Sequence, residues 1–234
     1  MKITNNIKSI SKTLVAVLAI STGLIACKKD NPEPQKIAGL RVINAFADTV
    51  TLDFIIDNTK INSNPFKYNV KSSGYLNLYP GTMKIGVAKK GVNKLVASGD
   101  YTLAESKGYS MFVLDTLNTN TKKFLLVEDD LSAPEADKAK VRFINLSKDA
   151  PALNLGIEGQ TTDLFTDKAF YEYTTFASVT PGASVTFNIK EDATVKTTLP
   201  NVKIEKGKIY TIYAKGLASA TIDSLKLRAD IYTH

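Results

Sequence analysis

Cys27 and His234 are the single representatives of the two residue types most used in nucleophilic and metal chemistry. With one of each, the sequence offers no Cys/His metal cluster and no convincing His base for a catalytic triad. His234 is the last residue, where chains usually fray. Two carboxylates would suffice for glycosidase chemistry, but Asp53, Asp57 and Glu158 alternate with apolar residues and are expected on the wet face of strands. We therefore predict that the protein is not an enzyme, with no catalytic residue, metal or cofactor.

Cys27 closes a segment that has the features of a secretory signal. Residues 1–12 carry three Lys and no acid, and residues 13–25 form an uncharged run too short to span a membrane. The stretch Leu24-Ile25-Ala26-Cys27 resembles the lipobox of bacterial lipoproteins. That resemblance implies cleavage between Ala26 and Cys27 and attachment of lipid to the Cys27 thiol, and several acyl chains would give stable membrane anchoring.

The residues after Cys27 indicate where the anchored protein lies. Residues 27–37 are polar, contain two Pro and predict an extended tether. Lys28 stands where an inner-membrane retention signal would have Asp, so we expect the outer membrane of a Gram-negative bacterium, facing the periplasm or the cell surface. Loss of residues 1–26 lowers the net charge from +7 to +4, and the Lys residues are scattered. The expected partners are therefore the membrane and a surface glycan or protein, not nucleic acid.

A repeat with a constant offset of 101 residues organises the remaining chain. Residues 40–45, LRVINA, correspond to residues 141–146, VRFINL, and Pro80-Gly81 corresponds to Pro181-Gly182. One offset kept over such a span indicates a duplication. The predicted organisation is a signal peptide over 1–26, a tether over 27–37, a first repeat over 38–128, a linker over 129–139 and a second repeat over 140–234.

Apolar residues alternate with polar ones within each repeat. Examples are residues 83–87 in the first copy and 185–189 in the second, and the pattern predicts strands with one face in a core and one in water. Each copy is close to the size of an immunoglobulin domain. We predict an all-β protein with two tandem immunoglobulin-like β-sandwich domains after the signal peptide and tether.

Residues 128–138 contain five acids and one Pro. Such a run is expected to bury almost nothing, which favours a linker. Oxygen ligands also suit calcium, so a calcium site is the alternative, although the spacing of an EF-hand is missing.

Residues 129–155 resemble the start of a domain in the family called domain of unknown function 4397. The resemblance is carried by the Arg142 strand, the loop Ser147-Lys148-Asp149-Ala150-Pro151 and the later Pro181-Gly182 turn, whereas residues 47–50 replace the Asp-Ala-Pro loop in the first copy. It implies an envelope β-sandwich lipoprotein and brings no activity or catalytic residue. Asp149 could belong to a binding loop, but we favour a turn in which its carboxylate accepts from nearby backbone amides and Pro151 fixes the chain.

We predict a non-catalytic, lipid-anchored binding or structural module of the envelope. A glycan-binding accessory lipoprotein of a nutrient-uptake system is one alternative, because Tyr75, Tyr79, Tyr171 and Tyr173 could stack on sugar rings. A fimbrial or adhesion subunit is another, and it would need an unpaired groove for strand exchange. Three tripeptides resemble O-glycan acceptor sequences, namely Asp48-Thr49-Val50, Asp115-Thr116-Leu117 and Asp223-Ser224-Leu225.

Overall fold

The computed structural model describes residues 36–114 and 123–234. The predicted signal peptide, the cleavage site at Ala26 and Cys27, most of the tether and the tripeptide Asp115-Thr116-Leu117 lie outside these residues. Gln35–His234 form one compact unit that contains every described strand and all three apolar clusters, so this part has what it needs to fold by itself. Within the described residues, no helix is both long enough and apolar enough to cross a membrane.

The described residues form two β-sandwiches of eight strands each. The first sandwich contains β1 Ala38–Asn44, β2 Leu52–Ile56, β3 Thr59–Lys60, β4 Leu76–Leu78, β5 Gly81–Lys89, β6 Leu95–Leu103, β7 Gly108–Val113 and β8 Phe124–Asp129. The second sandwich contains β9 Ala139–Asn145, β10 Leu153–Ile157, β11 Phe165–Lys168, β12 Ala177–Val179, β13 Gly182–Glu191, β14 Thr194–Ile204, β15 Ile209–Lys215 and β16 Arg228–Thr233, with a short 3₁₀ turn at Asp223–Leu225.

The two sandwiches have the same strand order. The sheets are β4-β1-β7-β8 and β3-β2-β5-β6 in the first, and β12-β9-β15-β16 and β11-β10-β13-β14 in the second. In each sandwich the first strand runs parallel to the seventh, while the other pairs are antiparallel. This equivalence is consistent with the predicted duplication, and the strands confirm the all-β class.

The immunoglobulin-like part of the prediction is wrong in connectivity. Constant-type immunoglobulin domains pair their strands as A-B-E-D and C-F-G, so their first strand lies beside the second. Here β1 lies between β4 and β7, and β2 belongs to the other sheet. Alternation of apolar residues predicts that a segment is a strand, but it does not fix which strand becomes its neighbour.

Each sandwich has its own apolar core between its two sheets. In the first, Leu40 and Met111 of one sheet meet Phe54 and Ile85 of the other. The second sandwich is built in the same way around twelve buried residues that include Phe143 and Phe187.

A third apolar cluster joins the two sandwiches face to face. It combines Ile43 and Phe112 of the first sandwich with Ile144, Tyr213 and Tyr232 of the second. The sheet that contains β1 and β7 therefore packs against the sheet that contains β9 and β15. Every residue of β7 and β15 is buried, so the prediction of one face in water is wrong for these strands.

The shared cluster predicts that the two sandwiches unfold as one unit. Phe112 has no exposed surface, and its ring lies 5.7 Å from that of Tyr213, centroid to centroid. We expect Phe112→Ala to lower the free energy of unfolding by about 3–5 kcal/mol while urea denaturation keeps a single transition. The control Val195→Ala, at a position 47% exposed, should change it by less than about 1 kcal/mol. Two separate transitions in the unsubstituted protein would contradict the prediction.

Candidate functional site

Ionisable side chains meet at one end of the face between the two sandwiches. We call this group the inter-sandwich polar cluster. Its members are Arg41, Tyr75, Ser110, Asp129, Arg142, Phe176, Thr211, Tyr232 and His234.

The centre of the cluster is an ion pair between Arg142 and Asp129. The Arg142 guanidinium donates from Nη2 to Asp129 Oδ1, and the two side chains are 1% and 0% exposed. The carboxylate also accepts from Ser110 Oγ at 2.8 Å and from Tyr75 Oη at 2.6 Å. Arg142 comes from β9 and Asp129 from the end of β8, so the pair connects the two sandwiches.

His234 lies inside the cluster, so the expectation that it frays is wrong. Its Nδ1 is 2.6 Å from Tyr75 Oη and its Nε2 is 2.7 Å from Thr211 Oγ1. The single hydroxyl proton of Tyr75 is donated to Asp129, so His234 Nδ1–H must donate to Tyr75. A neutral ring then accepts at Nε2 from Thr211, whose oxygen accepts from Arg142 Nε at 2.8 Å.

Two ordered hydrogen-bond chains therefore run from the guanidinium to the carboxylate. One passes through Thr211, His234 and Tyr75. The other runs from Arg142 Nη2 to Tyr232 Oη at 3.3 Å, from Tyr232 to Ser110 at 2.8 Å, and from Ser110 to Asp129. The first chain requires a neutral imidazole, and burial together with Arg142 and Arg41 lowers the pKa of His234 to about 4, against the opposing effect of Asp129.

Arg41 and Arg142 occupy equivalent positions of the two repeats but have different partners. The Arg41 guanidinium lies 5.3 Å from the ring centroid of Tyr75, as Arg142 lies 4.8 Å from that of Phe176. Arg41 is 7% exposed, and its Nε is the one buried side-chain polar atom of the described residues that has no hydrogen-bond partner. The Tyr232 ring, 4.9 Å away, adds a second cation–π contact.

A second ionic group joins the sandwiches around Asp230. Lys71 of the first sandwich donates to Asp230 Oδ1 at 3.1 Å, and Lys215 lies 3.4 Å from Oδ2. Burial would raise the pKa of Asp230, but the two ammonium groups lower it below its usual value. Burial lowers the pKa of Lys215, with Asp230 opposing that effect.

The largely apolar cavity of the first sandwich, about 350 Å³, opens beneath the loop that connects β3 with β4. Its lining includes the buried side chains of Val42, Phe54 and Phe66 and the more exposed Ile61 and Val70. The inter-sandwich polar cluster does not contribute to it.

Comparison with known families identifies the chain. The family described as "Domain of unknown function (DUF4397)" matches residues 38–156, which are 119 of the 234 residues. The chain belongs to the DUF4397 family. The match covers the whole first sandwich, the connecting segment, β9 and nearly all of β10, and therefore includes both Arg41 and Arg142.

The solved structures to which the chain is similar include "a putative cell adhesion protein from Bacteroides eggerthii DSM 20697". The sequence identity is 10%, and the alignment covers 86% of this chain and 97% of the other, with a TM-score of 0.19 that is too low to show a common fold. No curated protein matches the DUF4397 chain.

The acidic run of this DUF4397 protein is divided between a strand and a turn. Asp129 ends β8 and is buried, contrary to the expectation that the run buries almost nothing. Three of the other four acids form separate ion pairs: Glu128 with Lys107, Asp130 with Lys140 and Asp137 with Lys206. In the described part of the chain, no group of three His, Cys, Asp or Glu side chains could hold a metal ion.

The three candidate carboxylates have separate environments. Asp53 is 7% exposed, which corrects its placement on the wet face; it pairs with Lys60 at 2.8 Å and accepts from the Gly91 amide. Asp57 lies in the turn between β2 and β3, where it and Asn58 have φ of 45° and 65°, as a tight hairpin requires. Glu158 is exposed in the second sandwich.

Asp149 does not form the local turn that we favoured, because its carboxylate binds a distant loop. Its carboxylate accepts from the amides of Ala218 at 2.7 Å and Ser219 at 3.0 Å. These amides lie far along the chain, so the bonds tie together two loops and do not close a local turn. The equivalent Asp48 instead accepts from the nearby Val50 amide.

The four candidate tyrosines divide into two pairs. Tyr75 belongs to the polar cluster, and Tyr171 Oη donates to the Phe124 carbonyl at 2.9 Å. Tyr79 is 73% exposed and Tyr173 49% exposed. Burial has the largest effect on Tyr75 and raises its pKa, and the negative charge of the neighbouring Asp129 raises it further.

Removal of the charge on Asp129 should destabilise this DUF4397 protein strongly. Asp129→Asn leaves the buried Arg142 without a counterion, so we expect the free energy of unfolding to fall by about 3–5 kcal/mol in urea titrations. The control Asp130→Asn changes a neighbouring acid whose side chain is 62% exposed and should cost about 0–1 kcal/mol. Equal effects of the two variants would contradict a structural role for the pair.

The His234 environment predicts a loss of stability in mild acid. Because its folded pKa lies below its unfolded pKa of about 6.5, the unfolded chain binds the proton more readily, and stability falls as the pH drops through this window. From pH 7 to about pH 4.5 the expected loss from this group is about 2–3 kcal/mol. His234→Gln should remove that part of the pH dependence of urea unfolding. If the free energy of unfolding of the variant depended on pH as it does in the unsubstituted protein, His234 would not be the group responsible.

Proposed function

We propose that this DUF4397 protein is a non-catalytic module of the Gram-negative outer membrane, anchored by lipid on Cys27 and acting through binding or structural support. The two sandwiches serve as one rigid body on the tether of residues 27–37. The second sandwich counts in this proposal as a further DUF4397-like domain, which the shared strand order supports. Its expected contacts are the membrane and a glycan or protein of the envelope, not nucleic acid.

One observation carries the non-catalytic part of this proposal. The described residues bring a His, an Asp and two Arg together only in the inter-sandwich polar cluster, where both His234 nitrogens and both Asp129 oxygens are engaged within the protein. A general base needs access to a substrate proton. The side chains of His234 and Asp129 are instead 1% and 0% exposed, and their hydrogen bonds hold the sandwiches together.

The lipid anchor is tested by Cys27→Ala. The variant should lose incorporation of labelled fatty acid and move from the membrane fraction to the soluble fraction, because no thiol remains to carry the lipid. Lys29→Ala keeps the lipobox and serves as the control, which should remain labelled and membrane-bound. A Cys27→Ala protein that stays in the membrane fraction would refute the anchor.

Glycan binding is the alternative that the surface still supports, through Tyr79 and Tyr173. If it is correct, Tyr79→Ala or Tyr173→Ala should weaken binding of Gln35–His234 in a glycan-array screen at least tenfold, through lost stacking on sugar rings. Tyr68→Phe, a variant of a more buried tyrosine, is the control. The absence of array hits for the unsubstituted unit would refute this alternative.

Strand exchange of the fimbrial type has less support. That reading needs an unpaired groove, yet in each described sheet the four strands are hydrogen-bonded in continuous order. A donated strand could only be added at an edge.

A further inference from the structure

The cavity of the first sandwich has an apolar floor, and its mouth carries both apolar and polar side chains. Val42, Phe54 and Phe66 are no more than 4% exposed, and they belong to the core that the cavity reaches. Ile61 and Val70 line the same cavity and are 36% and 37% exposed. Apolar side chains therefore line the path from the surface to the core.

The polar walls of the cavity are already satisfied by the protein. Asn62 accepts from the Phe54 amide at 2.6 Å and donates to the Asn64 carbonyl at 2.8 Å. Ser72 accepts from the Val42 amide at 3.1 Å and donates to the Gly74 carbonyl at 2.7 Å. These side chains already have hydrogen-bond partners within the protein. A ligand therefore need not supply hydrogen bonds in the deep part of the cavity.

The lining carries one charged side chain, Lys71, and its ammonium group already has partners in the second sandwich. Lys71 donates to Asp230 and to the Ile231 carbonyl, both at 3.1 Å. The other eleven lining residues are apolar, Asn or Ser. An ionic ligand would therefore enter without a free counter-charge, and burial of an unpaired charge is strongly unfavourable.

We propose that this cavity binds a small, uncharged amphiphile. Its apolar body lies on the floor formed by Val42, Phe54 and Phe66 and against Ile61 and Val70. A hydroxyl or amide end meets the mouth near Ser63 and Ser73. A cavity of about 150 Å³ accepts benzene, so about 350 Å³ accommodates one or two rings or a medium alkyl chain. This site goes beyond the proposed function, and it stands whether or not Cys27 carries lipid.

Two dyes with the same aromatic body test the proposal on the unit Gln35–His234. N-phenyl-1-naphthylamine is uncharged, and 8-anilinonaphthalene-1-sulfonate adds one sulfonate. We expect saturable 1:1 fluorescence enhancement with the uncharged dye and at least tenfold weaker binding of the sulfonate. No saturable binding of the uncharged dye, or equal or tighter binding of the sulfonate, would overturn the proposal.

Substitutions at the mouth locate the dye. Ile61→Asp and Val70→Asp place a carboxylate beside the apolar path and should weaken binding of the uncharged dye at least fivefold, and Ser63→Trp should do so by filling space. Val92→Asp changes a valine that is 47% exposed and outside the lining, and it should leave binding within twofold. Thermal unfolding establishes that each variant is folded. Equal effects at Val92 and at the mouth would assign the dye to general surface adsorption and overturn the site.

Discussion

The buried pair of Arg142 and Asp129 constrains how the two sandwiches can pack. An ion pair removed from water costs free energy unless its remaining donors and acceptors are also satisfied. Here the carboxylate accepts hydrogen bonds from Ser110 and Tyr75, and the guanidinium donates one to Thr211. These contacts come from both sandwiches, so a displacement of one sheet along the other would leave buried charge unpaired. We infer that the pair fixes the relative position of the sandwiches.

Apolar packing and polar contacts contribute differently to this interface. The cluster around Phe112 and Tyr213 removes apolar surface from water without specifying one alignment. The polar groups at Asp129 and Asp230 supply the alignment. Because the two inner sheets cover each other, a partner must approach the outer sheets, the strand edges or the loops. The cavity of the first sandwich opens at such an edge.

The sequence predicted the strands and the duplication better than the packing between repeats. Period-two alternation and the 101-residue offset follow from local chain geometry, which a sequence displays directly. The stretch Tyr109-Ser110-Met111-Phe112-Val113 has large side chains on both faces, and that pattern is a signal for burial on two sides. The position of Arg41 and Arg142 inside apolar strands is a similar signal for buried partners. The position of His234 had no local signal, because its burial depends on β15 and on the first sandwich.

The unequal surroundings of the two arginines have a consequence for symmetry. In the first sandwich, Asp129 pairs with Gly108 across two neighbouring strands. In the second, the His234 amide donates to the carbonyl of Ile209, which is the equivalent of Gly108. The acid and the imidazole therefore occupy matching places in the two repeats. Two identical subunits related by a twofold axis would carry the same residue at both places, either two carboxylates or two imidazoles. Covalent duplication removes that restriction. A single chain can place one acid against one neutral ring and build a charge arrangement that a homodimer of one repeat could not contain.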